Sequence, residues 1–256
     1  MQIVTLTTDF GTTDYHSGAL KGAILAAHRS LNIVDITHNI EHYNIVQGAF
    51  VFKNAWKHFP KGSIHCLSVN DLAKFPMPYV ALARDGHYFL APDNGILTLV
   101  FGEHRGPVYR LTAPAEVSHP EEWIFAKACA HLSSGKSIES IGTPVTELVQ
   151  RITFQPVISS DQIRGSIIYV DHYGNAVTNI TRSLFEQVAN GRSFALFIRR
   201  HDPIGHLSRH YSEVGVGEPL CLFNAADHLA VAINMGNAAQ LLGLHVEDTV
   251  QIDFQS

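Results

Sequence analysis

The 256-residue sequence has no hydrophobic run long enough to cross a bilayer, and a β-rich segment at residues 3–8 follows almost directly after Met1. A transmembrane helix needs about 20 mostly apolar residues, and a secretory signal needs a basic segment followed by an apolar one. Since neither pattern is present, we predict no membrane association and a cytoplasmic location.

Positive charge is also scarce. The chain has 18 Lys and Arg against 23 Asp and Glu, which gives a net charge of −5. A protein that binds a phosphate backbone usually carries an excess of basic residues, so we predict no nucleic-acid partner. Hydrophobic residues make up 46% of the chain, which is typical of a folded protein with a real core.

Cysteine is rare, and its spacing argues against a disulfide framework or a zinc ribbon. The three cysteines are scattered among apolar residues: Cys66, Cys129 and Cys221. Without a CxxC pair they are predicted to be buried free thiols. Histidine is abundant, but His201, His206 and His210 lie in a polar stretch with no strand or helix to fix them as ligands. We therefore predict no metal site.

The first half of the sequence alternates between strand and helix patterns. A β-branched run at 3–8 precedes an Ala-rich helix at 17–27, and a strand at 32–36 precedes a helix at 44–58. Further strands are predicted at 64–69, 79–83 and 87–90, with a helix at 121–132. This alternation predicts an α/β fold with a doubly wound, mostly parallel sheet. Ligands of such sheets bind beyond the carboxyl ends of the strands, which directs attention to Asp9.

The pattern changes around residues 155–162, where Pro156 and Asp161 with two serines predict a linker. Short strands separated by turns follow, at 166–170, 194–198, 219–223, 229–233 and 249–254, with one short helix at 182–188. Such spacing predicts a small β-barrel or a β-sandwich. We therefore predict two domains, an α/β domain over residues 1–156 and a β-strand domain over 163–256.

Two carboxylates follow the first predicted strand. Asp14 is well placed to cap the next helix, and Gly11 permits a turn, so both have a structural explanation. Asp9 is harder to explain in this way, because an acid at the end of a buried strand needs a partner. A vicinal diol such as ribose would supply two hydrogen-bond donors to it.

The second domain begins with a polar segment, Asp171–Asn175, directly after its first predicted strand. A planar base could stack on Tyr173 while the amide of Asn175 reads the polar edge of adenine. A β-turn that uses Gly174 explains the segment equally well, so the residues alone leave both interpretations open.

Taken together, these segments resemble the S-adenosylmethionine hydroxide adenosyltransferase family, which also contains the fluorinases and chlorinases. The resemblance runs over nearly the whole chain, through Thr8–Asp14, Asp35–His38, Gln47–Ala49, Ala91–Gly95, Asp171–Asn179, Gly217–Pro219, Asn224 and Ala232–Ala239. It implies an α/β domain followed by a β-barrel and a homotrimer with active sites at subunit interfaces. S-adenosylmethionine is then the substrate, and no cofactor is implied.

The resemblance also implies roles for individual residues. In the first domain, Asp9 matches the acid that holds the ribose hydroxyls, Asp14 and His16 with Tyr15 between them lie where the family contacts methionine, and Tyr43 lies near the reacting carbon. In the second, Asp171 matches an acid near the methionine ammonium, Tyr173 and Tyr211 flank adenine, Asn175 reads adenine, and the backbones of Ile233 and Met235 lie nearby. Asn224 is retained, but Ala225 replaces a family serine, which weakens the contact to the methionine carboxylate.

The sequence departs from the family where the hydrolases position the attacking water. In the stretch Ser68–Lys74, Asn70 stands at the position of the family's acid, and Asp71 comes one place later. No Arg follows before Tyr79, and His119 is one position away from the expected His. Asn70 also stands where the halogenases carry a Tyr. We predict that Asn70, Asp71 or His119 orients the water.

Three functions remain open at this point. The first is hydrolysis of S-adenosylmethionine to adenosine and methionine. The second is halide transfer to the same carbon, and the third is a binding protein that holds an adenosine-containing ligand without turnover.

Overall fold

The computed structural model describes residues 2–71, 77–104, 106–198 and 201–255. The chain divides into two compact units, Met1–Thr153 and Phe154–Ser256, called here the amino-terminal unit and the carboxy-terminal unit. Within the described ranges, no helix has both the length and the apolar character that a membrane crossing requires.

The amino-terminal unit is a seven-stranded sheet with helices. Its strands are β1 (Ile3–Thr8), β2 (Asn32–Thr37), β3 (Ile64–Ser68), β4 (Tyr79–Arg84), β5 (His87–Pro92), β6 (Val108–Leu111) and β7 (Thr143–Val145). Its helices are α1 (His16–Ala27), α2 (Ile45–Ala55), α3 (Ile96–Phe101) and α4 (Pro120–Ser133). The strand order is β2-β1-β3-β5-β4-β6-β7. Strands β2, β1, β3 and β5 are parallel, and antiparallel pairing extends the sheet through β4, β6 and β7.

The central strands β1, β3, β4 and β5 are buried on both faces, which explains why they are nearly continuous hydrophobic runs, whereas the edge strands β2 and β7 are partly exposed. One core contains Leu20 of α1 and Phe125 of α4. The other contains Phe52 of α2 and Val100 of α3. The predicted doubly wound α/β class is confirmed. Because β1, β2 and β3 are parallel, the loops that follow them leave the sheet at the same edge.

The helices begin where the sequence supplies suitable first turns. The side chain of Asn44 accepts a hydrogen bond of 2.9 Å from the backbone N–H of Gln47 and so caps α2. Helix α4 starts at Pro120, and its first turn carries Glu121 and Glu122, whose charges favour the positive end of the helix dipole.

A buried histidine pair lies within the core on the α2 side of the sheet. Nδ1 of His65 is 2.7 Å from the hydroxyl of Thr5, and Nε2 is 3.1 Å from Nδ1 of His87. The rings of Phe52 and Phe89 pack around His65, with centroids 5.5 and 5.1 Å away. Burial lowers the pKa of His65 to about 3, so this ring is neutral in the folded protein.

We expect His65 to make the protein sensitive to acid. As the pH falls below about 6.5, the unfolded chain takes up a proton that the folded chain does not, so stability is lost. For His65 alone this costs about 2 kcal/mol of unfolding free energy at pH 5 relative to neutral pH. Urea unfolding of the wild type and His65→Gln at pH 7 and pH 5 measures the difference. A control variant, His206→Gln, changes an exposed ring. If His65→Gln loses as much unfolding free energy between pH 7 and pH 5 as the wild type does, His65 is not the source of the acid sensitivity.

The carboxy-terminal unit is an antiparallel sheet that curls into a half-barrel. Its strands are β8 (Val157–Ile158), β9 (Gln162–Val170), β10 (Ala176–Thr181), β11 (Phe194–Ile198), β12 (Pro219–Phe223), β13 (His228–Ile233) and β14 (Thr249–Phe254). Its helices are α5 (Arg182–Ala189) and α6 (Ala238–Leu241). The strand order is β11-β14-β9-β10-β13-β12, and β8 pairs with β9. The predicted barrel-like β class of this region is confirmed.

Several elements differ from the sequence prediction. The predicted linker at 155–162 contains β8, which pairs with β9, so part of it belongs to the sheet. The prediction of a single helix in this region is wrong, because α6 is a second one. Strands β6, β7, β8 and β10 and helix α3 were also missed. Strands β6, β7 and β8 and helix α3 are too short for a hydrophobic period to stand out, whereas β10 is as long as β1.

The three cysteines are free and buried, as predicted. The sulfur atoms of Cys66 on β3 and Cys129 on α4 lie 3.7 Å apart, within the core that also contains Phe125. That distance is well beyond the length of a disulfide bond.

Candidate active site

Asp9 joins three loops at the carboxyl edge of the amino-terminal sheet. It follows β1 directly and is only 9% exposed. Its Oδ2 accepts hydrogen bonds from the backbone N–H groups of Tyr43, at 2.9 Å, and Asn70, at 3.1 Å. Nδ1 of His42 is 3.1 Å from the Asp9 carbonyl oxygen. Among the described residues Oδ1 has no partner, so one oxygen is held by the fold and the other is left for a ligand.

The two residues that donate to Asp9 have unusual backbone conformations. Tyr43 has a φ of 67° and Asn70 a φ of 58°, in the left-handed region that residues other than glycine rarely adopt. For a bulky residue such as Tyr43 this conformation costs about 1–3 kcal/mol and persists where the surroundings hold it, whereas asparagine adopts it more readily. Here the carboxylate of Asp9 holds both. The side chain of Tyr43 is 62% exposed, so this ring is available for contact.

The carboxyl group of Asp71 has the most strongly shifted pKa at this edge of the sheet. Its Oδ2 accepts a hydrogen bond from the Ser68 hydroxyl, whereas its buried Oδ1 has no partner among the described residues. The buried Tyr79 hydroxyl is close by but makes no hydrogen bond of good geometry to any residue that the structure describes. Burial raises the pKa of Asp71 to about 7, and the negative charges of Asp9 and Glu121 act in the same direction. A carboxyl group of this kind changes its charge near neutral pH.

His119 directly precedes α4, whose Glu121 acts electrostatically on Asp71. Its Nδ1 is 3.6 Å from a carboxylate oxygen of Glu121, and its side chain is 64% exposed. His119, Glu121 and Glu122 together place three potential ligand atoms within 4.8 Å of one another. The two glutamates also have a structural role, because they lie in the first turn of α4.

The predicted methionine-contacting residues lie around the start of α1. The Asp14 carboxylate accepts a hydrogen bond of 3.3 Å from the backbone N–H of His16. The rings of Tyr15 and His16 are 4.3 Å apart, and Tyr15 is 73% exposed. The turn before them uses Gly11, with a φ of 75°. The turn predicted at Gly11 is therefore present, but the predicted helix cap by Asp14 is wrong, because Tyr15 is the N-cap residue of α1 and no described side chain caps this helix. A ligand contact by Asp14, Tyr15 or His16 stays a prediction.

Four predicted residues of the carboxy-terminal unit form one connected group. Asp171 accepts three hydrogen bonds: from the backbone N–H groups of Tyr173 and Asn175, both at 2.9 Å, and from the Asn175 amide at 2.8 Å. The same amide lies 3.4 Å from the hydroxyl of Tyr211. Asn175 is 5% exposed, whereas Tyr173 and Tyr211 are 78% and 44% exposed. Two open aromatic rings thus accompany one buried amide.

The turn that competed with the ligand interpretation is present as well. The N–H of Gly174 donates to the carbonyl of Asp171 at 2.9 Å, and Gly174 has a φ of 83°. A side chain at this position would come within 2.2 Å of Asn237. The segment is therefore a tight turn that also holds Tyr173 and Asn175 at fixed places.

The remaining predicted residues lie in turns at opposite ends of β13, so Asn224 and Ala225 are at the far end of this strand from Ile233 and Met235. The Asn224 side-chain oxygen accepts hydrogen bonds from the backbone N–H groups of Ala226 and His228, both at 3.0 Å, so it organises the turn that contains Ala225. Ile233 is buried at the end of β13, whereas Met235 is 86% exposed and has a φ of 57°.

The sequence analysis missed some of the groups that shape this site. Ser68, Tyr79 and Glu121 create the surroundings of Asp71, and the N–H groups of the loops after β2 and β3 hold Asp9. The position of Ser68 at the end of a buried strand was the one visible signal. Leu72, Ala73 and Lys74, which belong to the stretch that departs from the family, lie outside the described residues.

Comparisons with known proteins show the family to which the chain belongs. Residues 4–142 match the SAM hydroxide adenosyltransferase N-terminal domain, and residues 165–251 match the C-terminal domain of the same family. An (R)-S-adenosyl-L-methionine hydrolase of Methanocaldococcus jannaschii is 26% identical, over 98% of this chain and 96% of that one. A fluorinase of Actinopolyspora mzabensis is 26% identical, over 93% and 92%. The crystal structure of an uncharacterized conserved protein from Thermotoga maritima has a TM-score of 0.85 and 26% identity, over 99% and 100%. The chain belongs to the SAM hydroxide adenosyltransferase family.

Proposed function

We propose that the protein hydrolyses S-adenosyl-L-methionine to adenosine and L-methionine. The observation that carries this proposal is the Asp9 carboxylate, with Oδ2 held by two N–H groups and Oδ1 without a partner among the described residues. Such an oxygen can accept hydrogen bonds from the hydroxyls of a ribose. Relatives named as S-adenosylmethionine hydrolases support the choice of substrate and reaction.

The reaction needs little acid catalysis from the protein. A water oxygen attacks C5′ of the ribose as the C5′–sulfur bond breaks, and methionine leaves as a neutral thioether because the sulfur was a sulfonium. The water loses one proton in the process. Alignment of the water behind C5′ therefore supplies much of the acceleration, and a base that takes the proton adds about 10²–10⁴-fold.

Asp71 is the proposed base. Its pKa of about 7 gives a useful fraction of carboxylate at neutral pH together with a real affinity for the proton it receives. Its buried Oδ1 has no partner among the described residues, so it can accept a hydrogen bond from the water. The backbone N–H of Asn70 bonds to Asp9, and this bond positions the neighbouring Asp71. His119, which lies beside Glu121, is proposed to help orient the water.

The carboxy-terminal unit is proposed to bind adenine between Tyr173 and Tyr211, in a homotrimer whose active sites lie at subunit interfaces. Exposed aromatic side chains in each unit support this arrangement, because large exposed rings commonly mark a binding surface. Light scattering tests the trimer, and a mass of one or two chains would contradict it. The cytoplasm stays the predicted location.

The function is tested by incubating the protein with S-adenosylmethionine and separating the products by chromatography. Adenosine and methionine are expected in equal amounts, at a rate above that of the uncatalysed reaction. If S-adenosylmethionine binds but no product forms after long incubation, the protein is a binding protein and not a hydrolase.

Halide transfer is the alternative reaction, and the fluorinase relative supports it. The acidic surroundings of the proposed water site argue against it, since Asp9, Asp71 and Glu121 interact electrostatically and would repel a halide. The same incubation in excess chloride or fluoride decides the matter, because 5′-halo-adenosine would appear in place of adenosine.

A further inference from the structure

Asp171 has all its visible hydrogen bonds inside its own turn. Oδ1 accepts the backbone N–H groups of Tyr173 and Asn175, and Oδ2 accepts the side-chain amide of Asn175. The two backbone bonds fix where each carboxylate oxygen lies. The third bond then fixes the amide of Asn175.

The charge of Asp171 determines which way round that amide faces. An ionised carboxylate has no proton to donate, so the atom of Asn175 that faces it must be the nitrogen. The second proton of this nitrogen faces the hydroxyl of Tyr211, 3.4 Å away. The amide oxygen of Asn175 has no hydrogen-bond partner among the described residues. It is also not fully buried, so it is accessible from outside the protein. To a ligand, Asn175 therefore offers an acceptor only.

We propose that Asp171 is a positioning residue that sets base selectivity: by fixing the amide of Asn175 it selects purines with an amino group at C6 over purines with an oxygen there. The inference rests on the proposed function for the idea that a purine nucleoside binds here. A 6-amino group donates to the Asn175 oxygen, whereas a 6-oxo group would place two acceptors against each other. Buried polar groups that are left unpaired discriminate strongly between such ligands.

The substitution Asp171→Asn gives this proposal a sharp test. The two backbone N–H groups of Tyr173 and Asn175 require an oxygen at the Oδ1 position, so the new amide nitrogen takes the position of Oδ2. That nitrogen donates, and the amide of Asn175 must turn over to present its oxygen to it. Asn175 then offers its nitrogen to the ligand, so the preference at C6 reverses.

The experiment measures binding of adenosine, purine riboside and inosine by calorimetry. These nucleosides carry a donor, a hydrogen atom and an acceptor at C6. The wild type is expected to bind them in that order, with adenosine roughly 10- to 100-fold tighter than inosine. In Asp171→Asn inosine binds at least as tightly as adenosine. In Asp171→Ser, whose hydroxyl supports the turn but does not orient the amide, the ratio is near one. The matched control Asp161→Asn removes an exposed acid of the same unit and keeps the wild-type ratio.

Each outcome has a distinct meaning. Equal binding of adenosine and inosine by the wild type, absence of adenosine binding, or an unchanged ratio in both folded Asp171 variants overturns the role of Asp171. Wild-type selectivity that is lost in the variants, without any hydrolysis of S-adenosylmethionine, overturns the proposed reaction alone. Hydrolysis with an unchanged ratio in the variants overturns the inference alone. Circular dichroism shows which variants are folded.

Discussion

Asp9→Asn is expected to keep the fold and to lose recognition of the ribose. The N–H groups of Tyr43 and Asn70 require an acceptor where Oδ2 now lies, so the asparagine oxygen takes that place and its nitrogen faces the ligand. An amide nitrogen only donates, so it cannot accept hydrogen bonds from the ribose hydroxyls. Hydrogen bonds to a charged group contribute about 1.5–3 kcal/mol each, so we expect adenosine affinity to fall by about 100-fold. Calorimetry with adenosine measures the change.

Two comparisons separate ligand binding from stability. The wild type should prefer adenosine over 2′-deoxyadenosine, and Asp9→Asn should not. Asp9→Ala leaves both N–H groups without their acceptor, at a cost of about 1–3 kcal/mol for each, so its melting temperature should fall as well. Asp85→Asn is the control, because this exposed acid of the same unit has a φ of 53°, which asparagine tolerates. If Asp9→Asn binds adenosine as the wild type does, the ribose lies elsewhere.

Asp71→Asn is expected to slow adenosine formation by about 10²–10⁴-fold. In the wild type the rate should rise with pH and level off above about 7, because the base works only after it has lost its proton. The variant has no group to titrate there, so its small residual rate should not show this rise. Measuring kcat from pH 5.5 to 9 checks both expectations, with Asp85→Asn as the control.

The same substitution should change the pH dependence of stability in the opposite sense from activity. The pKa of Asp71 is higher in the folded protein than in the unfolded chain, so folding stability falls as pH rises from about 4 to 7 and the loss is complete above 7. Asp71→Asn removes this loss, which amounts to at most about 4 kcal/mol. Urea unfolding at pH 5 and pH 8 measures it. A flattened stability profile with an unchanged kcat would make Asp71 a buried structural acid and not a base.

Much of the fold could be predicted from periodicity, because long buried strands such as β1 and long helices such as α4 leave a clear pattern. Helix α3 could not, since it has six residues and starts after the left-handed Gly95. Strand β10 was hidden for another reason: its residues were interpreted as part of a binding motif. Tertiary pairing with β9 and β13 fixes its conformation more than its own sequence does.

The candidate site was predictable to a smaller extent. Asp9 stood out because an acid at the end of a buried strand needs a partner, and Asn175 because its amide suits the polar edge of adenine. Their protein partners could not be derived, since the backbone N–H of Tyr43 lies 34 residues from Asp9 and carries no side-chain signature. The pKa of Asp71 was equally invisible, because it depends on burial and on charges brought close by the fold.

The shared acceptor at Asp9 has a consequence for protein engineering. Replacing the loop after β2 or the loop after β3 to alter specificity would remove one of the two backbone N–H groups that donate to Asp9 Oδ2. A new loop with ordinary right-handed backbone conformation would not restore that hydrogen bond. Exchanges in this family should therefore succeed when both loops and the acid are transferred as one cassette, and fail when a single loop is moved.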